Sequence, residues 1–303
     1  MQALTLGFIG LGAMGQNAAR RLLLAGHQVQ GLDLNPASLA RFAGAGGTPV
    51  HSAAQACAGA LATVLFVVNA QQAETVLLGD NGLAAHAPPG HLVISCVTMS
   101  AADARRLASR CEERGLVYVD APVSGGVVGA ENGTLSIMAS GPAAALDACA
   151  PVFEAMGSRI LRVGEQPGQG ATFKTINQLL CGVHLAAAGE ALAMAARAGL
   201  DTQQVLDLVS QSAAASWMLN DRGPAMVART YTPVRSAVDI FVKDLGLVLD
   251  LARDLRFPAT VSAAALQSFL GASGAGFGQQ DDAAVTEFYR LTSDNKKDQG
   301  ETP

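Results

Sequence analysis

The chain has 303 residues, half of them hydrophobic and 15% charged, which excludes a disordered protein and leaves room for two domains with a core each. Its 20 Lys+Arg against 25 Asp+Glu give a net charge of −5. No basic surplus exists to neutralise a phosphate backbone, so the composition argues against a nucleic-acid partner.

In the first half, short apolar blocks alternate with helical stretches. Leu4 to Ile9, Val29 to Leu32, Val64 to Val68, Leu92 to Cys96 and Leu116 to Val119 read as buried strands. Asn35-Pro36 marks a helix start, with an N-cap and then proline at the first helical position. Ser100 opens a charged helix that ends near Gly115. The blocks are continuous rather than alternating, as in strands covered on both faces of a parallel, doubly wound α/β sheet. After Gly133 come a strand at Leu135 to Ala139, a helix past Gly141-Pro142, a strand near Ile160 to Val163, and a polar, glycine-rich hinge from Gly164 to Gly170. A long helix follows at about 171–198, with further helices near Thr202 to Ser212, Ser236 to Leu255, Ala259 to Leu270 and Asp281 to Leu291. The expected organisation is a Rossmann-type domain over 1–165, an all-α domain over 166–292 entered through the long helix, and a polar tail over 293–303.

Gly10-Leu11-Gly12-Ala13-Met14-Gly15 is a Gly-x-Gly-x-x-Gly turn between a predicted strand and a predicted helix. Gly10 allows the tight turn, Gly12 lets backbone N–H groups approach a pyrophosphate, and Gly15 lets the helix lie close to the sheet. The helix N-terminus then favours the phosphates. Asp33 lies 23 positions after Gly10, at the end of the second strand, where a carboxylate accepts hydrogen bonds from an adenosine ribose. A carboxylate there repels a 2′-phosphate, and Leu34-Asn35-Pro36 offers no arginine to hold one. The cofactor expected is therefore NAD, with Asn35 counted among its contacts.

Asp120-Ala121-Pro122-Val123-Ser124-Gly125-Gly126 follows the fifth strand at its carboxyl end, the side on which open α/β sheets bind ligands. Its unobstructed N–H groups suit a carboxylate; the same residues also make a plain tight turn. On the long helix, Lys174, Asn177, Gln178 and Cys181 share one face. A lone lysine near a helix start ordinarily reaches solvent. This one stands between Phe173 and Ile176, and burial beside a cationic nicotinamide would lower its pKa enough for proton exchange near neutrality.

The five cysteines are far apart and the five histidines form no cluster, so neither disulfides nor a metal site are expected. No apolar run approaches the ~20 residues of a membrane helix, and no Lys or Arg precedes the N-terminal apolar run. The expectation is a cytoplasmic protein with no membrane partner.

Four separated motifs together resemble the β-hydroxyacid dehydrogenase family: the glycine run from Gly7, Asp-Ala-Pro-Val-Ser-Gly-Gly from Asp120, Gly-Gln-Gly-Ala-Thr-Phe-Lys from Gly168, and Lys-Asp-Leu-Gly-Leu from Lys243. The resemblance implies that Lys174 is the catalytic acid/base, that Ser124, Gly125 and Gly126 hold the substrate carboxylate, and that Asn177 orients the reacting hydroxyl. It further implies that Asn69, Thr98 and Lys243 contact the cofactor. Many members carry asparagine where this chain has Gln178, so either amide of the Asn177–Gln178 pair can be the one that meets substrate. Family members that bind NAD without catalysis, and the imine reductases, lack the lysine; Lys174 argues against both readings. Trp217 and His184 read as core or pocket-wall residues. The segments around Gly182, Ser216 and Ser236 are most similar to the L-threonate dehydrogenase branch, which implies a four-carbon sugar acid with Asn177, Gln178, Asp239 and Arg222 near its hydroxyls. Tartronate semialdehyde and 3-hydroxyisobutyrate are the alternatives. The stripe Gly182, Ala186, Gly189, Ala193 suits close packing against another helix, and the family implies a homodimer or homotetramer.

Overall fold

The computed structural model describes residues 3–293. They form two compact units, the first ending at Thr175 and the second starting at Ile176. The expected tail over 293–303 lies outside the described residues except for Ser293, which is helical.

The first unit runs β1 (Thr5–Ile9), α1 (Ala13–Leu24), β2 (Gln28–Leu32), α2 (Pro36–Gly44), β3 (Thr48–Val50), α3 (Ala53–Cys57), β4 (Ala62–Leu65), α4 (Ala70–Leu78), β5 (Leu92–Ser95), α5 (Ala101–Glu112), β6 (Val117–Asp120), β7 (Val123–Ser124), α6 (Gly126–Asn132), β8 (Leu135–Ser140), α7 (Ala143–Met156) and β9 (Gly157–Gly164). The strand order is β3-β2-β1-β4-β5-β6-β8-β7, with β9 on the other side of β8. Pairing is parallel from β3 through β6, while β8 is antiparallel to β6 and β7 and parallel to β9. This is the doubly wound, Rossmann-type sheet expected of buried, continuous apolar strands.

Side chains along each strand alternate between two cores. Leu6, Phe8, Val64 and Ile94 pack into one layer, and Ile9, Leu65 and Val93 into the other. The helix starts follow from local chemistry. Asn35, Ser52, Asn69 and Ser100 each cap a helix through a side-chain oxygen. Phe42 of α2 is fully buried, and its ring fills the space above Gly31 and Gly47. A Cβ on either glycine would come within 2.3 and 2.2 Å of that ring, respectively.

Two short strands, β3 and β7, fall outside the sequence expectation. They have three and two residues, too few to show a periodic pattern. β4 also ends at Leu65, so Phe66 to Val68 form the loop after the strand rather than its last residues.

α8 (Gln169–Arg197) leads into the second unit, followed by α9 (Thr202–Val209), α10 (Trp217–Ala228), α11 (Val238–Asp254), α12 (Thr260–Ala272) and α13 (Val285–Ser293). α10 has no counterpart in the expectation; Gly223 and Pro224 interrupt its pattern. The core of the second unit gathers Leu185, Leu192, Met226, Phe241, Leu245 and Phe269, with the Phe241 and Phe269 rings stacked at 5.1 Å. The small-residue stripe of α8 packs inside this unit, Gly182 against Leu245 of α11 and Gly189 against Thr286 of α13. By length and composition α8 could cross a membrane, which is weak evidence for one such helix, and 44% of its most apolar window is buried within the protein. His184 and Trp217 are both exposed, so neither is a core residue.

Candidate active site

The turn after β1 has the backbone that its glycines permit. Gly10 has φ +100°, and a Cβ there would lie 2.6 Å from the Phe66 carbonyl. A Cβ on Gly15 would meet the Gly10 carbonyl at 1.9 Å, so α1 rests directly on the turn. Gly12 is different: a Cβ on it would meet nothing within 4 Å. It is exposed at the N-cap of α1, with Ala13 and Met14 forming the first turn. An open backbone face beside first-turn N–H donors is what a pyrophosphate needs, and the residues present fit a dinucleotide.

Asp33, after β2, is tied to this turn. Its Oδ2 accepts the Leu11 N–H at 2.6 Å and its Oδ1 accepts the Asn35 N–H at 2.7 Å. Each carboxylate oxygen keeps a second lone pair for a ribose hydroxyl. Asn35 caps α2 by accepting from the Ala37 N–H at 2.9 Å. Asn69 caps α4 through Oδ1, which leaves its amide NH2 as the ligand-facing chemistry available. Thr98 follows β5, half-buried. Gly10, Asn69, Thr98 and Ser124 all stand beyond the carboxyl ends of parallel strands or of the hairpin that follows them, on one edge of the sheet.

Ser124 ends β7, and Gly125 and Gly126 have φ of +127° and +63°. They open α6, whose first intrahelical bond joins the Gly129 N–H to the Gly125 carbonyl. The N–H groups of Gly126, Val127 and Val128 thus stand in the first turn of a helix, where no intrahelical acceptor exists for them.

Lys174 lies in the second turn of α8 and is only 7% exposed, whereas its apolar neighbours Phe173 and Ile176 are half exposed. This inverts the ordinary behaviour of a helix-surface lysine. Just before it, the stretch expected to be a hinge is fastened down. The Gly168 and Ala171 N–H groups donate to Asp120 Oδ2 at 2.9 and 2.8 Å, and the Gly170 N–H donates to Ser140 Oγ at 3.0 Å.

Within the second unit, the Asn177 amide donates to Gln178 Oε1 at 2.9 Å and to Cys181 Sγ at 3.3 Å. Gln178 donates in turn to the buried Asp244 Oδ2 at 2.5 Å, and Lys243 Nζ meets Asp244 Oδ1 at 2.6 Å. The motif beginning at Lys243 therefore contributes a carboxylate, Asp244, that joins two expected site residues. Sequence reasoning passed it over, although an acid inside an apolar helix stripe was the available signal. Arg222 and Asp239 are engaged elsewhere. Arg222 is buried against Asp221 and Asp282, and Asp239 accepts from Ser273 and Gln279.

Residues 5–164 match the family described as the NAD binding domain of 6-phosphogluconate dehydrogenase, and residues 168–289 that described as NAD-binding of NADP-dependent 3-hydroxyisobutyrate dehydrogenase. An L-threonate dehydrogenase of Cupriavidus necator is 48% identical over 284 residues, 94% of this chain and 95% of that protein. A 3-hydroxyisobutyrate dehydrogenase of Pseudomonas aeruginosa is 36% identical over 268 residues, 86% of this chain and 90% of that protein. The crystal structure of a 3-hydroxyisobutyrate dehydrogenase from Salmonella typhimurium matches with a TM-score of 0.90 at 45% identity, covering 94% of this chain and 99% of that one. With a dinucleotide turn on a doubly wound sheet, a buried lysine on the helix that follows, and relatives matching along nearly its whole length, the chain belongs to the 3-hydroxyisobutyrate dehydrogenase family of β-hydroxyacid oxidoreductases.

Proposed function

We propose that the protein oxidises a small hydroxy acid with NAD, and that its substrate is L-threonate, oxidised at C2 to the 2-oxo acid. The observation that carries the chemistry is the burial of Lys174 in a helix turn whose apolar residues face outward. In this reading Ser124 Oγ and the first N–H groups of α6 hold the substrate carboxylate. Neutral Lys174 Nζ takes the hydroxyl proton as the C2–H bond breaks, and Asn177 orients the hydroxyl. Gln178 is held by Asp244 and supports Asn177. NAD, when bound, supplies the hydride acceptor at its nicotinamide ring. Gly10, Leu11, Gly12, Ala13, Met14 and Gly15 would cradle its pyrophosphate; Asp33, Asn35, Asn69, Thr98 and Lys243 complete its contacts.

One of the matched families is described by its NADP dependence. Here the Asp33 carboxylate and the absence of arginine from Leu34 to Pro36 support NAD instead. The 48% identity to an L-threonate dehydrogenase supports the four-carbon substrate. The 3-hydroxyisobutyrate reading is favoured by the solved structure of that name at 45% identity. The two separate cleanly in an assay of the purified enzyme with NAD against L-threonate, D-erythronate, 3-hydroxyisobutyrate and, with NADH, tartronate semialdehyde. L-threonate should give the highest kcat/KM; an enzyme that ignores both tetronates and turns over another of the panel overturns the assignment.

We also infer a homodimer or homotetramer. Phe173, Ile176 and Leu180 form an exposed apolar stripe along α8, a surface suited to a second copy. Light scattering on the purified protein tests this, and a monomer at micromolar concentration refutes it.

A further inference from the structure

The carboxyl ends of the parallel strands form one row in register: Ile9 beside Leu65, Leu65 beside Ser95, Ser95 beside Asp120, and Asp120 opposite Ser140. The row is apolar on one side and turns polar at Ser95, Asp120 and Ser140, all fully buried. A carboxylate inside a sheet edge, with no cation hydrogen-bonded to it among the described residues, is a costly choice of side chain. What it faces explains the choice. Asp120 Oδ2 accepts from the Gly168 N–H, the Ala171 N–H and, at 3.4 Å, Ser140 Oγ. Ser140 Oγ takes the intervening Gly170 N–H. Three backbone donors at the start of α8 thus end on two side chains of the sheet, where the helix dipole is positive and a negative charge is favoured. Lys174 comes one turn after Ala171, so the backbone position from which its side chain extends follows from where this first turn is held.

We propose that Asp120 is a positioning residue for catalysis. It fixes the first turn of α8 against the sheet and thereby sets Lys174 at the place from which it exchanges the substrate's proton. The proposal rests on the acid/base reading of Lys174. It assigns to the aspartate of the Asp120–Gly126 motif a task separate from the carboxylate-binding one of Ser124 to Gly126.

The test compares Asp120→Ala, Asp120→Asn and Ser140→Ala with the wild type, measuring kcat, KM, NAD affinity by fluorescence titration, and the thermal midpoint. Asp120→Ala removes the acceptor, and kcat should fall about tenfold to a hundredfold, as for small displacements of a catalytic group, while NAD affinity stays within about twofold. The amide oxygen of Asp120→Asn can accept the same N–H bonds, so that variant should recover most of the lost kcat. A folded Asp120→Ala with wild-type kcat, a loss confined to KM, or an Asp120→Asn no better than Asp120→Ala overturns the proposal. Should Asp120→Ala not fold, Ser140→Ala decides: a lower kcat with NAD affinity unchanged supports the anchor, and an unchanged kcat overturns it. Lys174→Ala in the same assay separates the two levels. If it stays active, the acid/base reading falls; if it is dead beside a fully active Asp120→Ala, only the positioning role falls.

Discussion

Leu11 and Asp33, on different turns of the first unit, are joined by a hydrogen bond of 2.6 Å from backbone N–H to carboxylate. The second oxygen of Asp33 holds the Asn35 N–H, so one side chain clips the turn after β1 to the turn after β2. The selectivity against a 2′-phosphate proposed for it is therefore coupled to its structural work. Asp33→Ser should narrow the ratio of kcat/KM for NAD over NADP, and should also cost about 1–3 kcal/mol of stability as two N–H groups lose a charged acceptor. Steady-state kinetics with both cofactors and urea denaturation check the two halves. Equal use of the cofactors by the wild type would remove Asp33 from cofactor selection.

The glycines of the first turn separate folding from binding. Gly12→Ala places a methyl in open space and should leave stability within about 0.5 kcal/mol of the wild type while weakening NAD binding. Gly15→Ala drives a Cβ to 1.9 Å from the Gly10 carbonyl and should lose about 1–3 kcal/mol or more. Calorimetric titration with NAD and thermal melts distinguish them. If Gly12→Ala binds NAD like the wild type, the pyrophosphate does not lie over this backbone.

Lys174 is the proton-transfer group in the proposed reaction and lies outside the glycine turn proposed to hold the cofactor. Lys174→Ala should lower kcat by ~10²–10⁴-fold with NAD affinity near that of the wild type. A variant that retains most of its turnover takes Lys174 out of the mechanism.

Burial pushes the Asp120 carboxyl up to about 6 from 3.8, against the opposing pull of the Ala171 and Gly168 N–H groups and Ser140. A folded-state pKa above the unfolded one means that the folded protein takes up the proton first. The cost of the buried charge is full above pH 6 and is relieved as pH falls towards 4, amounting to about 3 kcal/mol. Asp120→Asn carries no such charge. Its unfolding free energy relative to the wild type should be most favourable near pH 8 and should decline by that amount towards pH ~4. Denaturation curves at the two pH values suffice, and a difference independent of pH would contradict the shift.

The glycine turn and the elements around it were legible in the sequence because backbone requirements dictate them. Gly10 needs a positive φ, Gly15 needs a close approach, and Asn35-Pro36 spells a helix start, so strand, turn, helix and acid fall in a fixed order. Lys174 was legible as a buried lysine, but not for the reason its neighbours suggest, because the apolar flanks Phe173 and Ile176 are themselves the exposed pair. The roles of Asp120 and Asp244 depend on partners 48 to 66 positions away, and no local spacing encodes those. The same limit explains Arg222, whose neighbour Asp221 is visible in sequence while Asp282, its buried partner, is 60 residues distant. That Gly168 and Gly170 are held by Asp120 and Ser140 was not legible either, because glycine and polar residues mark both loose chain and tightly docked backbone.

Phe42, wedged between Gly31 and Gly47, keys α2 onto β2 independently of the turn that joins them. Within that turn, Asp33 holds two N–H groups and Asn35 caps a helix, but Leu34 is fully exposed. That unequal division of labour sets an order for evolutionary change. A lineage moving towards a phosphorylated cofactor can place a basic side chain at position 34 first, at almost no cost to the fold, and exchange the acid at 33 only afterwards. The reverse order would pass through an intermediate that has loosened both turns before it has gained anything to bind.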